Sequence, residues 1–340
     1  MRILIDISHI AHINFLKNTI LELKKRGHEI FICYLDRGPL KEIVKKEFEG
    51  FSITEVGRHR NTKYSIIVDA NIRKVIKLIF FIRKHKIDLG IGMGSFTMAA
   101  ALRVNFRKSY LFDDDPERKL SVFLSVLFCT VISFPPIIAE TRKIKTYNAI
   151  KEWSYLSPGH FSPNEGVLNN YNLKRKGYIF VREVSNKTLN YTSQADNLLS
   201  DVSRLFPENI PVVFSLENKL ERHLYPSKWI LLKEPVEDIH SLIYYSRLLI
   251  SSGDSMAREA AVLGISSVYC GIREMKVNDL LIQKKLLNFL VPDEIPGFIR
   301  KQWKDMENSE EKQKLIRHTL DNEWEDVMRY IFKLIKEQLN

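Results

Sequence analysis

"LLISSGDSMAREAAVLGISSVYCG" (residues 248–271) is the stretch on which the fold turns. A short apolar run ends in the small polar turn Ser251, Ser252, Gly253; a helix-like segment follows with one acid, Glu259, and then a second apolar run. Strand, tight turn, helix and strand in that order make the repeating unit of a parallel sheet. In such sheets ligands bind beyond the carboxyl ends of strands, where loops lead into helices. Ser252, Gly253, Ser255 and Met256 fall at that spot, where the unbonded N–H groups and positive dipole end of a helix face a phosphate. Glu259 stands one turn further on, and its two oxygens match the paired hydroxyls of a ribose. The plainer alternatives are that Ser255 only caps the helix and Glu259 only complements its dipole. Asp254 argues against a bare phosphate pocket, because it sets a negative charge beside the anion.

The same rhythm runs outward in both directions. "RILIDIS", "HEIFICYL", "FSITEVG", "DLGIGMG" and "SYLFDDD" are continuous apolar runs separated by helical patterns, which predicts strands buried on both faces of a parallel sheet. "KEWSYLSPGHFSPNEGVL" interrupts the pattern with Pro and Gly and reads as an interdomain connection. A second series follows, through "GYIFVREV", a helix near "QADNLLSDVSRLF", "IPVVFSL", "KWILLKE" and the opening stretch, to "LLNFLVP". The expected domains are therefore 1–160 and 161–320, each Rossmann-like. A periodic helix over 321–340, with Trp324, Val327, Ile331, Leu334 and Ile335 on one stripe, is expected to pack back towards the first domain.

A chain of 340 residues exceeds one ordinary core, and 45% hydrophobic with 27% charged residues is the composition of a folded protein. The net charge of +11 favours an anionic partner: nucleic acid, an anionic membrane face or a phosphorylated substrate. Aromatic-basic RNA motifs, zinc spacings and basic arms are absent, so nucleic acid is not the expected partner. Cys33, Cys129 and Cys270 lie apart in apolar runs and read as small buried hydrophobes in a reducing compartment. The start "MRILIDISHI" lacks the pattern of a secretory signal, and a cytoplasmic location is expected. "LSVFLSVLFCTVISFPPII" (120–138) carries too many Ser and Pro for a membrane span and predicts a buried helix followed by a buried strand. The helix "NIRKVIKLIFFIRKHK" is more apolar than one buried stripe requires and is rimmed by cations, so it is the expected place of any peripheral contact with an anionic membrane.

The opening stretch resembles the Gly-X-X-X-X-X-Glu segment of GT-B glycosyltransferases that use nucleotide sugars, especially the N-acetylglucosaminyl transferase of peptidoglycan synthesis. That resemblance implies that Glu259 holds the ribose, while Gly253, Ser255 and Met256, with Ser252, border the diphosphate. "SHIAHINFLKNTILELKKRGHEI" is similar to the first loop and helix of that group, which implies that His12 faces the cleft as a base or acceptor contact, with His9 its competitor. "DLGIGMGSFTMAAAL" and "SYLFDDDPERK" resemble the next strand-end loops, implying Gly94, Ser95, Asp113 and Asp114 at the cleft. From "ILIDISHIAHINFLKNTILELKKRGHEI" through "VGRHR", "KEWSYL" and "MAREAAVLG" the chain is similar over nearly its whole length to the domain-of-unknown-function family 354, itself grouped with GT-B folds. The first loop departs from the transferases in lacking their glycines, and "GIREMKVND" replaces their Gln-rich sugar-contacting run, leaving Arg273, Glu274, Asn278 and Asp279 as substitutes.

These observations imply an α/β protein of GT-B type, two Rossmann-like doubly wound parallel-sheet domains facing a cleft. The expected activity is transfer of a sugar from a nucleotide-diphosphate sugar, UDP favoured, to a glycan or lipid-linked acceptor in surface polysaccharide synthesis. Catalytic roles fall on His12, which titrates near neutrality, and Asp114; Arg58 and Arg60 in "GRHRNTKY" would meet an acceptor phosphate. Neither a metal nor a cofactor beyond the donor sugar is expected. The alternatives are an enzyme like the non-hydrolysing UDP-N-acetylglucosamine 2-epimerases, and then a basic nucleic-acid-binding or non-catalytic GT-B scaffold.

Overall fold

The computed structural model describes the chain except residues 60–64, 187–190, 192, 234–235, 237, 305–308 and 338–340, and the side chains of 65–68. It divides into two compact units, Met1–Tyr155 with Glu325–Asn340, and Leu156–Trp324, where the sequence pattern had placed boundaries near 160 and 320.

Unit one is built on seven parallel strands: β1 (Arg2–Ile7), β2 (Glu29–Asp36), β3 (Ser52–Arg58), β4 (Leu89–Met93), β5 (Lys108–Phe112), β6 (Val131–Phe134) and β7 (Ile144–Thr146). Their order is β3-β2-β1-β4-β5-β6-β7. The central strand pairs Ile5 with Ile32 on one side and with Ile91 on the other, and Ile3, Leu4, Ile5 and Ile7 have no exposed surface. A strand buried on both faces must be apolar at every position rather than at alternate ones, and "ILIDI" obeys this apart from Asp6. Helices Lys74–His85 and Phe96–Val104 cover one face, and Leu78, Ile82, Met98 and Leu102 join Leu4, Leu111 and Ile132 in its core.

Unit two repeats the plan with β8 (Ile179–Glu183), β9 (Val212–Leu216), β10 (Ile230–Leu231), β11 (Leu248–Ser251), β12 (Ser266–Tyr269) and β13 (Asn288–Phe289), in the order β10-β9-β8-β11-β12-β13. An aromatic cluster fills one side of this sheet: Phe214 lies 4.6 Å from Tyr225 and 5.1 Å from Trp229, ring centre to ring centre. In both sheets the chain starts at the middle, winds to one edge, returns and winds to the other. The switch points, where crossovers leave in opposite directions, are β1/β4 and β8/β11.

Three local expectations are corrected. Residues 194–206 form only the single helical turn Ser200–Ser203, since Asn, Asp and Ser there compete for backbone hydrogen bonds, as in Ser200 Oγ donating to Asn197 O. The expected helix over 321–340 does not run unbroken: one helix ends at Glu323 and another, Val327–Lys336, restarts under an Asp326 cap that accepts from Arg329 N–H at 3.1 Å. That last helix packs on unit one, where Tyr330 Oη lies 3.0 Å from Ser133 Oγ and Arg26 stacks 4.0 Å from the Phe332 ring. Helix Lys119–Phe128 is followed by strand β6 as expected, but it is not buried: Leu120, Phe123 and Leu127 are exposed along one side. Among the described residues no helix is long and apolar enough to cross a membrane.

Candidate functional site

The turn 251–256 lies at the switch point of the second sheet. Ser252 N–H donates to Arg182 O at 3.0 Å, and Ser252 Oγ accepts from Val184 N–H at 2.9 Å, so the loops leaving β11 and β8 are stitched together. The Ser252 hydroxyl therefore builds the turn rather than facing outward. Gly253 caps the helix Asp254–Val262 in extended geometry, and a Cβ at this position would stand 2.5 Å from Val184 Cγ1. Only glycine allows so close an approach between the two loops.

Asp254 is the hub of the turn. Its Oδ2 accepts from Arg258 Nη1 and from Arg273 Nη1, each at 3.1 Å, while Oδ1 accepts from Tyr191 Oη and from Ser255 N–H at 2.9 Å. Two guanidiniums on this one carboxylate offset its negative charge, which answers the objection that Asp254 alone would repel a phosphate. The same bonds use some of the helix's first N–H groups, those of Asp254 and Ser255, internally. Ser255 is exposed and Met256 half-buried, making these the outward-facing members of the turn. Arg258 also reaches Asn278 Oδ1 at 3.3 Å, so Arg273 and Asn278 belong to the support of the turn.

Glu259 is buried, with Oε1 3.2 Å from His240 Nε2 on the neighbouring helix Ile239–Tyr245. Burial works against the imidazolium, but the Glu259 carboxylate, its hydrogen bond and Asp238 together raise the His240 pKa. Phe161 meets the same ring edge-on at 6.4 Å. Glu259 is thus an oriented carboxylate one helical turn from the outward face of the turn, and His240 fixes it.

In unit one the residues read from the sequence gather at the β1/β4 switch point and the end of β5. Asp6, fully buried on β1, accepts from Lys74 Nζ at 2.7 Å and from Ser95 Oγ. Ser95 and Lys74 therefore hold the buried carboxylate through Oδ2, while Oδ1 has no hydrogen-bond partner among the described residues. His9 caps helix Ile10–Lys25, with Nδ1 accepting from Ala11 N–H at 3.2 Å, and His12 Nδ1 accepts from Ser8 N–H at 3.3 Å. Backbone donation to Nδ1 places the proton of each neutral ring on Nε2, so these edges present donors rather than bases. Burial, His9, Lys151 and Lys74 hold His12 well below its usual pKa against the pull of Asp114, which keeps the ring neutral. Loss of water around the ring, then the fields of Arg37, Lys151 and Arg118, push His9 down to about 4.

The three consecutive acids separate, as the alternation of an extended chain requires. Asp114 pairs with Lys151 Nζ at 2.6 Å. Asp113 folds back so that Oδ1 accepts from the N–H groups of Asp114 and Asp115, at 2.9 and 3.1 Å, and its Oδ2 is buried with no hydrogen-bond partner among the described residues. Burial and the Asp114 charge push Asp113 up to about 7, so it exchanges its proton at neutral pH. Gly94 makes room beside it: φ is +53°, and a Cβ there would lie 3.2 Å from Asp113 Oδ2. Arg58, on the surface, is bound by Glu55 at 2.9 Å and approached by Asp36 at 4.0 Å, while Arg60 lies outside the described residues.

A family model described as "Protein of unknown function (DUF354)" matches residues 1–340. The chain belongs to this family. One relative, an uncharacterized protein of Methanocaldococcus jannaschii, is 24% identical over 307 residues, 82% of this chain and 85% of the relative. Among solved structures, the UDP-GlcNAc 2-epimerase of Neisseria meningitidis bound to UDP-GlcNAc superposes with a TM-score of 0.68 at 12% identity, covering 99% of this chain and 100% of the other. The spinosyn forosaminyltransferase gives 0.70 at 13% identity, with 99% of each chain covered. At such identity the likeness establishes the fold, and this DUF354 protein has the GT-B fold.

Two functional candidates in the DUF354 chain had no signal in the linear pattern. His240 lies nineteen residues before Glu259 and meets it only because their helices pack side by side. Tyr191 reaches the Asp254 carboxylate from a loop more than sixty residues away. Arg258 was legible in one respect, since Asp254 and Arg258 are four apart on a helix and such pairs face each other.

Proposed function

We propose that this protein binds a nucleotide-diphosphate sugar at the turn 252–256 and transfers the sugar to an acceptor. The observation that carries the proposal is the Glu259 carboxylate, held by His240 beside a switch-point turn whose one acid is matched by two arginines. Glu259 would accept from the two ribose hydroxyls, and Ser255 and Met256 would border the diphosphate. The positive end of helix Asp254–Val262, with Arg258 and Arg273 beside it, would stabilise the departing diphosphate as the sugar gains oxocarbenium character. UDP is the favoured nucleotide, supported by the UDP-GlcNAc bound in the similarly folded Neisseria meningitidis epimerase. Within unit one, Asp113 is the group poised to take the acceptor's proton, Asp114 is a carboxylate steadied by Lys151, and the Nε2 edge of His12 donates a hydrogen bond to the acceptor. The acceptor class is a glycan or lipid-linked saccharide, as in surface polysaccharide synthesis, and the chemistry calls on no cofactor besides the donor.

A thermal-shift screen with UDP, GDP, TDP and CMP sugars tests the reading, since a ligand at about 100 times its Kd adds about 2.7 kcal/mol of stability. The shift should appear with the UDP series and shrink in Glu259→Gln, which keeps the shape but loses the charge. No shift with any series would end the proposal. A second reading, epimerisation of the same donor, is favoured by the near-neutral pKa of Asp113, which suits proton removal from a sugar carbon. Incubation with UDP-N-acetylglucosamine and no acceptor separates them, because an isomerised sugar would replace the transferase.

A further inference from the structure

We infer that one face of unit one docks on an anionic bilayer, with a lipid phosphate seated in a cationic cavity at the edge of that face. The cavity, about 500 Å³, is lined by Arg103, Arg107, Arg142 and Lys143 together with Cys129 and Thr130, and no carboxylate lines it. It stands at the amino ends of β5 and β6, the edge of the sheet opposite His12 and Asp113. Two of its cations are held in place by a helix end: Arg103 Nη1 donates to Leu127 O at 2.5 Å, and Lys143 Nζ donates to Val126 O at 2.7 Å, the last carbonyls of helix Lys119–Phe128.

The helix that ends at the cavity, through Phe128, carries exposed apolar side chains away from it along the same face. Helix Lys119–Phe128 presents Leu120 (72% exposed), Phe123 (63%) and Leu127 along one side, and Ile72, just before helix Lys74–His85, with Ile76 and Phe80 (64%) on it, recur every four residues and are exposed as well. Helix Phe96–Val104 ties the two together: its Arg103 holds Leu127 O, and Asn105, just past its end, donates to Ile79 O at 3.3 Å and accepts from Arg83 Nε at 2.9 Å.

The next residue is the most telling. Helix Phe96–Val104 closes in a Schellman turn: Phe106 N–H donates to Arg103 O at 3.0 Å and Arg107 N–H to Leu102 O at 2.9 Å. The left-handed position of that turn favours glycine, yet it holds Phe106, at φ +54° and 96% exposed. A phenylalanine there is costly in backbone conformation and buries nothing in the fold, and the turn directs it outward while Arg107, its neighbour, lines the cavity. The occupant follows from charge. Leaving aside Lys74, buried against Asp6, and Arg73, paired with Asp69, residues 75–112 contain seven Lys and Arg against one acid, Asp88. An apolar patch rimmed by cations, with an acid-free cavity at its border, complements a surface of acyl chains and phosphates. The inference does not depend on the sugar chemistry and stands if no nucleotide sugar binds.

The test is co-sedimentation of the full chain with vesicles of phosphatidylcholine alone or mixed with phosphatidylglycerol. The protein should partition at least about tenfold more strongly onto the mixed vesicles, and salt should weaken the binding. Phe106→Gly should weaken partition about tenfold or more, as loss of a buried phenyl group requires, while raising rather than lowering the melting temperature. The double variant R107Q/R142Q should weaken it roughly thirty-fold, at about a factor of five for each basic residue near an anionic surface. Equal binding to neutral vesicles, or partition unchanged in both variants with melting temperatures retained, would overturn the inference. So would self-association in sedimentation velocity that Phe106→Gly abolishes, because a second copy would then be what covers the face.

Discussion

Replacing Asp254 tests whether the candidate nucleotide turn is held by charge. The Asp254 and Arg258 side chains are only 2% and 1% exposed and lie 3.1 Å apart, with Arg273 at the same distance on the other side. Asp254→Ala leaves the Arg258 guanidinium buried without its counter-charge, which costs about 3–5 kcal/mol. For a unit of this size, that corresponds to a melting temperature lower by roughly 10 °C. Asp254→Asn is the sharper variant. Its remaining oxygen can still accept from Tyr191 and from the Ser255 N–H, but its amide group would face two guanidiniums, so the loss should approach that of alanine. Arg273→Ala removes the more accessible partner and leaves the Asp254–Arg258 pair intact, so a loss of about 1 kcal/mol is expected. Urea unfolding followed by tryptophan fluorescence reads all three. An Asp254→Asn protein within about 1 kcal/mol of the parent would refute the reasoning, since shape rather than charge would then hold the turn.

Two further perturbations probe the local geometry. Gly253→Ala places a methyl group 2.5 Å from Val184 Cγ1 and should destabilise by about 1–3 kcal/mol, with G253A/V184A recovering most of the loss; additive costs in unfolding experiments would contradict the contact. Asp113, raised from 3.8 to about 7, holds its proton in the folded chain across a range where the unfolded chain has released it. Its contribution is therefore complete below about pH 4 and is lost as pH rises through 7, by up to about 4 kcal/mol. Asp113→Asn cannot ionise, so its stability relative to the parent should climb over that window; parallel pH profiles in denaturant titrations would rule out the raised pKa.

Where sequence inference succeeded, the interaction was local or periodic. Strand β11, the turn and the helix after it could be read from residues 248–262, because burial on both faces demands a continuous apolar run and a tight turn demands small residues. It failed on helix Lys119–Phe128, where apolar composition predicted burial and the structure exposes Leu120, Phe123 and Leu127. Hydrophobicity states what a side chain would gain from a neighbour, and says nothing of whether the fold supplies one.

By itself the sequence determined two parallel α/β sheets and the turn that marks the second switch point, since strand, helix and turn patterns are set by backbone geometry within a few residues. Tertiary structure alone decided the chemistry of the site. It turned Asp254 from an obstacle into a neutralised hub, gave Glu259 its partner His240, set the His12 proton on Nε2 and raised Asp113 towards neutrality. Each of these depends on distances of a few ångströms between side chains from different elements, and on the loss of water around them, which no linear spacing encodes.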